Sequence, residues 1–291
     1  MLFVLVFIRE IVTGNKLISD CKFIELGSGI NQGGAIYMNG GYFLEIRDCI
    51  FFKCTASTNG GAIFTNGGSL NGKKLCFFES YIRQSKNDVY GNAIFVKSVA
   101  STELSSFYRC GISSGTASDS TLYFGSYKAD TINTNCTDCS GNGGPHGIFL
   151  DGISSLCNIE FLTIIGGTAA HSMCFRTSTN VKIDFLVIVD SKCTSVMWWL
   201  SGCNVQVNQC YMFRISYSSF IKGGTLSFIN SYGDLSYNTI GLTKTSTTTP
   251  IFEPIIYGNC NNFYDLISTK SYRIRKSVSI FFYLFFISLN S

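Results

Sequence analysis

The chain is poor in charge, in proline and in any helical pattern. Charged residues are 14% of its 291 residues, against about 25% in an average globular domain. No stretch sustains a 3.6-residue apolar period, so amphipathic helices with solvated faces are excluded as the main element. The 46% of apolar residues equally exclude a disordered polar chain. Three prolines leave long runs free to pair as strands. Basic residues cluster only in Arg273-Ile274-Arg275-Lys276. A nucleic-acid partner needs a broader basic footprint, so none is expected.

Chemistry-bearing groups are also sparse, and no catalytic set, cofactor motif or metal set emerges from them. Cys136-Thr137-Asp138-Cys139 is a lone CxxC with no second pair at zinc spacing. His146 and His171 stand 25 residues apart with no third ligand in register, and are expected as polar turn residues. Gly141-Asn142-Gly143-Gly144 lacks the Lys-Ser/Thr of a phosphate loop and is assigned to a turn. Asp184 and Asp190 form the one carboxylate pair worth testing, since glycoside hydrolysis needs two carboxylates aimed at one bond. They share a strand face only if the strand between them is unbroken. Asp20 and Asp48 could share a Ca²⁺, but two carboxylates do not make a six-ligand site. Hydrated, outward aspartates are the plainer expectation.

What the chain does have is a repeat. Gly33-Gly34-Ala35-Ile36-Tyr37, Gly60-Gly61-Ala62-Ile63-Phe64 and Gly91-Asn92-Ala93-Ile94-Phe95 are followed by fainter copies near Leu122, Ile148, Met173, Met197 and Leu226. Strands and turns at a period of 24 to 31 residues predict an all-β solenoid, because one such unit cannot bury its own face. The stacking distance gives about eight rungs of right-handed parallel β-helix. The column Ile36, Ile63, Ile94, Leu122, Ile148, Met173, Met197, Leu226 is expected to face inward. So is the column two positions on, from Met38 and Thr65 to Trp199 and Phe228. The intervening Tyr37, Phe64, Phe95, Tyr123 and Trp198 then point outward and form a candidate binding strip. The double glycine supplies positive φ.

Thirteen cysteines follow the repeat, and most are expected as buried free thiols. Cys21, Cys49 and Cys76 are expected one above another, with parallel side chains too far apart for an easy bridge. Cys54 and Cys139 each lie eight residues before a repeat position, Ala62 and Gly147. Three segments are expected: 1–16, a signal remnant or N-terminal cap; 17–240, the solenoid; and 241–291, a tail. Leu2 to Ile8 is a seven-residue apolar run with no basic residue before it. Ser277 to Leu289, thirteen uncharged residues behind the basic cluster, is a candidate for membrane association, though a spanning helix needs about 20. Asn135-Cys136-Thr137 is the sole glycosylation sequon.

Gly-Gly-Ala-Ile followed by a Cys-x-Phe strand resembles the repeats of chlamydial polymorphic outer-membrane proteins and of related trichomonad surface proteins. The likeness is good over 17–100 and rests on period alone over 100–240. It implies a right-handed parallel β-helix at the cell surface or secreted, non-catalytic, in adhesion or coat structure. The outward aromatic strip makes a glycan or a host or neighbouring surface protein the expected partner. The family's Phe-x-x-Asn motif is absent: the matching positions are Phe23-x-x-Leu26, Phe51-x-x-Cys54 and Phe78-x-x-Tyr81. The alternative from the same fold is a polysaccharide lyase or glycoside hydrolase.

Overall fold

A computed structural model describes residues 4–6, 9–29, 31–83, 89–111, 120–176, 180–233 and 242–244. The expected tail, including Arg273–Lys276 and Ser277–Leu289, lies outside them apart from 242–244. The described chain is all-β, a right-handed parallel β-helix of about seven turns. A full turn carries three strand segments, as in Ile36–Asn39, Phe43–Arg47 and Ile50–Phe52. Each pairs in parallel with its counterpart in the next turn. The turn therefore has three faces, called first, second and third in chain order. Glu10–Val12 already belongs to the first face, in register with Ile36–Met38. Val4–Val6 pairs with Cys21–Phe23 on the third.

Alternation of side chains decides what fills the coil. On the first face Ile36, Ile63, Ile94, Leu122, Ile148 and Met173 are completely buried, and so are Met38, Thr65, Val96, Phe124, Leu150 and Phe175. Each such aliphatic side chain contributes roughly 2 kcal/mol by leaving water. On the third face Phe23, Phe51, Phe77 and Phe107 stack inside the coil at ring-centroid distances of 4.8, 4.6 and 4.7 Å. That is the strand spacing, so register and ring stacking support one another.

The register departs from the sequence reading at the far end. Met173 pairs with Trp198 and Phe175 with Leu200. Trp198, expected on the surface, is thus fully buried in the inner column, and Trp199 takes the outward position. Beyond it Trp198 pairs with Ile221, whose side chain is exposed, whereas Leu226 pairs with Val205 on the second face. The cause is local: Val196, Met197 and Trp198 are all buried, so the strand does not alternate cleanly there.

The corners explain the cysteines. Between the second and third faces the chain turns through one residue in the left-handed region: Asp20, Asp48, Lys74, Leu104, Asn133, Phe161, Phe185, Gln209 and Asn230 all have φ between 50 and 60°. A second set, including Lys53, Arg109, Asp138 and Arg214, closes the third face. Where the residue after such a corner is Cys or Ser, it points inward and donates a hydrogen bond to the carbonyl two residues back. Cys49 Sγ donates to Arg47 O at 3.1 Å, Cys54 Sγ to Phe52 O at 3.7 Å, and Cys139 Sγ to Thr137 O at 3.6 Å. Ser105 and Ser231 do the same to Glu103 O and Ile229 O at 3.3 and 3.0 Å. A small side chain with a weak donor suits this place, which selects Cys or Ser. Cys54 and Cys139 occupy equivalent corners, as their spacing suggested. Eleven of the described cysteines carry free thiols, while Cys76 is disulfide-bonded. Cys76 also leaves the expected column: it pairs with Ile50, so Leu75 follows Cys49.

The glycine pair has two separate tasks. Gly33, Gly60 and Gly91 have φ of 63, 67 and 73°. The second glycine is needed for close approach: a Cβ on Gly61 would lie 2.0 Å from Asn92 O and 2.7 Å from the Tyr81 carbonyl. Replacing Gly61 by Ala must push backbone apart, and we expect a loss of about 3 kcal/mol in urea unfolding. Gly14→Ala, where nothing lies within 4 Å of the new methyl, should change stability by less than about 0.5 kcal/mol. Equal midpoints for the two variants would show that the turns do not stack so closely.

Candidate functional site

The outward side chains of the first face form an aromatic ladder. Tyr37 stacks on Phe64 at 5.4 Å, Phe64 on Phe95 at 5.0 Å, and Phe95 on Tyr123 at 4.7 Å. Phe149 follows with its edge to Tyr123 at 5.3 Å. The expected strip therefore exists, but most of it is not open surface. Phe64, Phe95 and Tyr123 are only 4–6% exposed. The rings cover one another, and Tyr90 stacks across Tyr123 at 4.8 Å. Cations lie against the ladder at three points: Arg9 over Tyr37, Arg176 over Phe149 and Lys222 over Trp199, at 4.7, 5.3 and 4.9 Å.

Mid-ladder, Tyr123 donates its hydroxyl to Asp151 at 2.9 Å, and Arg176 Nε donates to the same carboxylate at 2.9 Å. Burial works against the Asp151 carboxylate, yet these hydrogen bonds hold it below the usual carboxylate range. Burial, reinforced by Asp151, pushes the Tyr123 hydroxyl up. Every strong group here is committed to another, so the cluster fastens three turns together.

The N-terminal end of the ladder is different. Arg9, Ile11, Asn31, Gln32, Tyr37 and Thr58 line a cavity of about 430 Å³, within the usual size range of small-ligand sites. Tyr37 is half-buried there and Ile11 is exposed. Arg9 Nε donates to Gly33 O at 2.7 Å, and Nη2 donates to Gln32 O. The guanidinium is therefore fixed on the loop and stacked on the ring. The cavity offers amide, hydroxyl and guanidinium groups around one aromatic edge. Of its lining, sequence reading identified Tyr37 alone. Arg9 has no motif, and Asn31-Gln32 and Thr58 share only their place just before Gly33 and Gly60, not a residue type.

The other candidates fall apart or change character. Asp184 and Asp190 do not share a face, because the corner at Phe185 separates them. Asp184 pairs with Lys182 at 2.7 Å on the second face, and Asp190 pairs with Arg214 at 2.5 Å on the corner beyond the third. Asp48 is followed along its corner by Lys74, at 3.7 Å, so a cation already faces it. Among the described residues no group of three or more His, Cys, Asp or Glu is arranged to hold a metal. Asn135 is 2% exposed within the strand Leu122–Thr137, so a glycan there does not fit the folded coil. Gly141–Gly144 lies in a strand, Ser140–Pro145, of a small three-stranded sheet.

Both histidines are interior, not turn surface. His146 Nδ1 donates to His171 O at 3.0 Å and its Nε2 lies 3.3 Å from Ser191 Oγ. His171 Nδ1 donates to Val196 O at 2.9 Å. Burial lowers both imidazoles, His146 to about 4.

The fold places the chain in the class of right-handed parallel β-helix proteins. No family model, no curated protein and no solved structure matches it. Among the described residues no helix is long and apolar enough to cross a membrane.

Proposed function

We propose that this is a non-catalytic β-helix protein of the cell surface or extracellular space. It acts in adhesion or coat structure and holds a glycan on its first face. The likeness of its glycine-marked repeats to those of polymorphic outer-membrane proteins supports this role. The observation that carries the binding role is the cavity at the head of the aromatic ladder, where Tyr37, Asn31, Gln32, Thr58 and Arg9 converge. Concave sites with a few fixed polar groups around an apolar body suit a sugar, which presents hydroxyls and C–H faces together. The lyase or hydrolase alternative is less favoured because Asp151, Asp184 and Asp190 are each held by a cation.

The test is a glycan-binding titration with the full chain. Tyr37→Ala should weaken binding at least about tenfold, roughly 1.4 kcal/mol, with an unchanged circular-dichroism spectrum. Polysaccharide turnover that vanishes in Asp184→Asn or Asp190→Asn would replace the binding role by the enzyme. A tagged chain should be reached by antibody in intact cells; detection only after permeabilisation would remove the surface assignment.

A further inference from the structure

We infer that the cavity beside Tyr37 selects glycans carrying an anionic substituent, a carboxylate or a sulfate ester, which Arg9 receives. The inference rests on the glycan reading above and specifies its ligand. Three observations carry it. First, Arg9 is the only charged residue among the described residues that line the cavity. The carboxylate next to it in sequence, Glu10, is bound by Lys16, and Arg9 has no ion-pair partner among the described residues.

Second, this contrasts with the other arginines set against carboxylates. Arg47, Arg176 and Arg214 are paired with Glu45, Asp151 and Asp190. A half-buried cation without a counter-ion is unfavourable by itself, and a bound anion supplies the missing charge. Third, Arg9 is held in place before any ligand arrives. Its bonds to Gly33 O and Gln32 O and its stacking on Tyr37 at 4.7 Å fix the guanidinium plane. Those bonds use Nε and one Nη2 hydrogen of the five a guanidinium carries. Both Nη1 hydrogens and the second on Nη2 remain, enough for an end-on, two-point contact with a carboxylate or sulfate. Asn31, Gln32 and Thr58 are left for sugar hydroxyls.

The experiment is calorimetric titration of the full chain with four probes: an oligohexuronate, its methyl ester, a sulfated oligosaccharide of equal length, and sodium sulfate. The two acidic sugars should bind at least tenfold tighter than the neutral ester, and inorganic sulfate alone should bind far more weakly than either. Arg9→Gln should bring the acid-to-ester affinity ratio below about twofold, whatever its affinity for the neutral ester, and Arg9→Lys should restore part of that ratio. Equal binding of acid and ester to the wild type would overturn the inference and leave the glycan reading standing. That comparison needs no variant, so it decides even if Arg9→Gln folds poorly. Sulfate binding as tightly as the sulfated sugar would also overturn it, making the site a simple anion site. No sugar bound at all, with Tyr37→Ala indistinguishable from wild type, would remove the glycan reading itself.

Discussion

Ile63→Asp should leave no folded protein. Ile63 sits between Ile36 and Ile94, and all three are completely buried. The substitution removes roughly 2–3 kcal/mol of apolar burial. It then asks the column to take either an ion, at a desolvation cost of several kcal/mol, or a neutral acid with no hydrogen-bond partner. The sum reaches the 5–15 kcal/mol that ordinarily separates a folded domain from its unfolded chain. Because each turn rests only on its neighbours, loss of one central turn exposes the edges on both sides. The control is Asn39→Asp at the exposed end of a neighbouring strand. There the side-chain oxygen accepts from Asn66 at 3.0 Å, which a carboxylate also does. We expect limited proteolysis to digest Ile63→Asp and to spare Asn39→Asp. Protease resistance of Ile63→Asp equal to wild type would mean that the Ile63 column faces solvent.

How much of this was legible beforehand depends on where glycine marks the turn. Gly-Gly-Ala-Ile occurs where the backbone of one turn touches the next, so Ile36, Ile63 and Ile94 could be aligned from spacing alone. At Trp198 no such marker exists, and three consecutive buried residues hide the alternation. Spacing alone therefore sets the pair one residue out of register and puts Trp198, not Trp199, on the surface. Cys76 went astray for a related reason. The turn from Cys49 is one residue shorter than the cysteine spacing implies, and an apolar Leu75 fills the place equally well. The corners were invisible because Asp48, Lys74, Leu104 and Phe161 share a backbone conformation and no side-chain type. Their signature is instead the Cys or Ser that often follows. The cavity combines Arg9 from before the first full turn with loop residues from the next two turns. No linear motif joins residues that only the coiling brings together.

The second large effect is expected in acid. The chain has two histidines, and both are buried and neutral in the fold, with His146 lowered to about 4 by desolvation. In the unfolded chain the same imidazole titrates near 6.5. Between these values the unfolded state binds the extra proton and the folded state does not. Stability therefore falls as pH drops from about 6.5 to about 4, and below 4 this contribution has been lost in full. For His146 the loss amounts to about 3 kcal/mol at about 1.4 kcal/mol per unit. His171, lowered by burial in the same direction, adds to it. Asp151 and Asp190 are lowered too, but their stabilisation disappears only as pH falls through the carboxylate range, beneath most of the histidine window. Urea unfolding of the full chain at intervals from pH 7.5 to 4 should show this slope, and His146→Gln should flatten most of it whatever its stability at neutral pH. Should that variant fail to fold, the imidazole nitrogen resonances of the wild type carry the same information. His146 should take up no proton near pH 6.5, and His171 should titrate below its ordinary range. A His146 signal that titrates there would show the ring to be in water, and with it that the side sheet of Ser140–Pro145, Thr168–His171 and Lys192–Cys193 does not close over it.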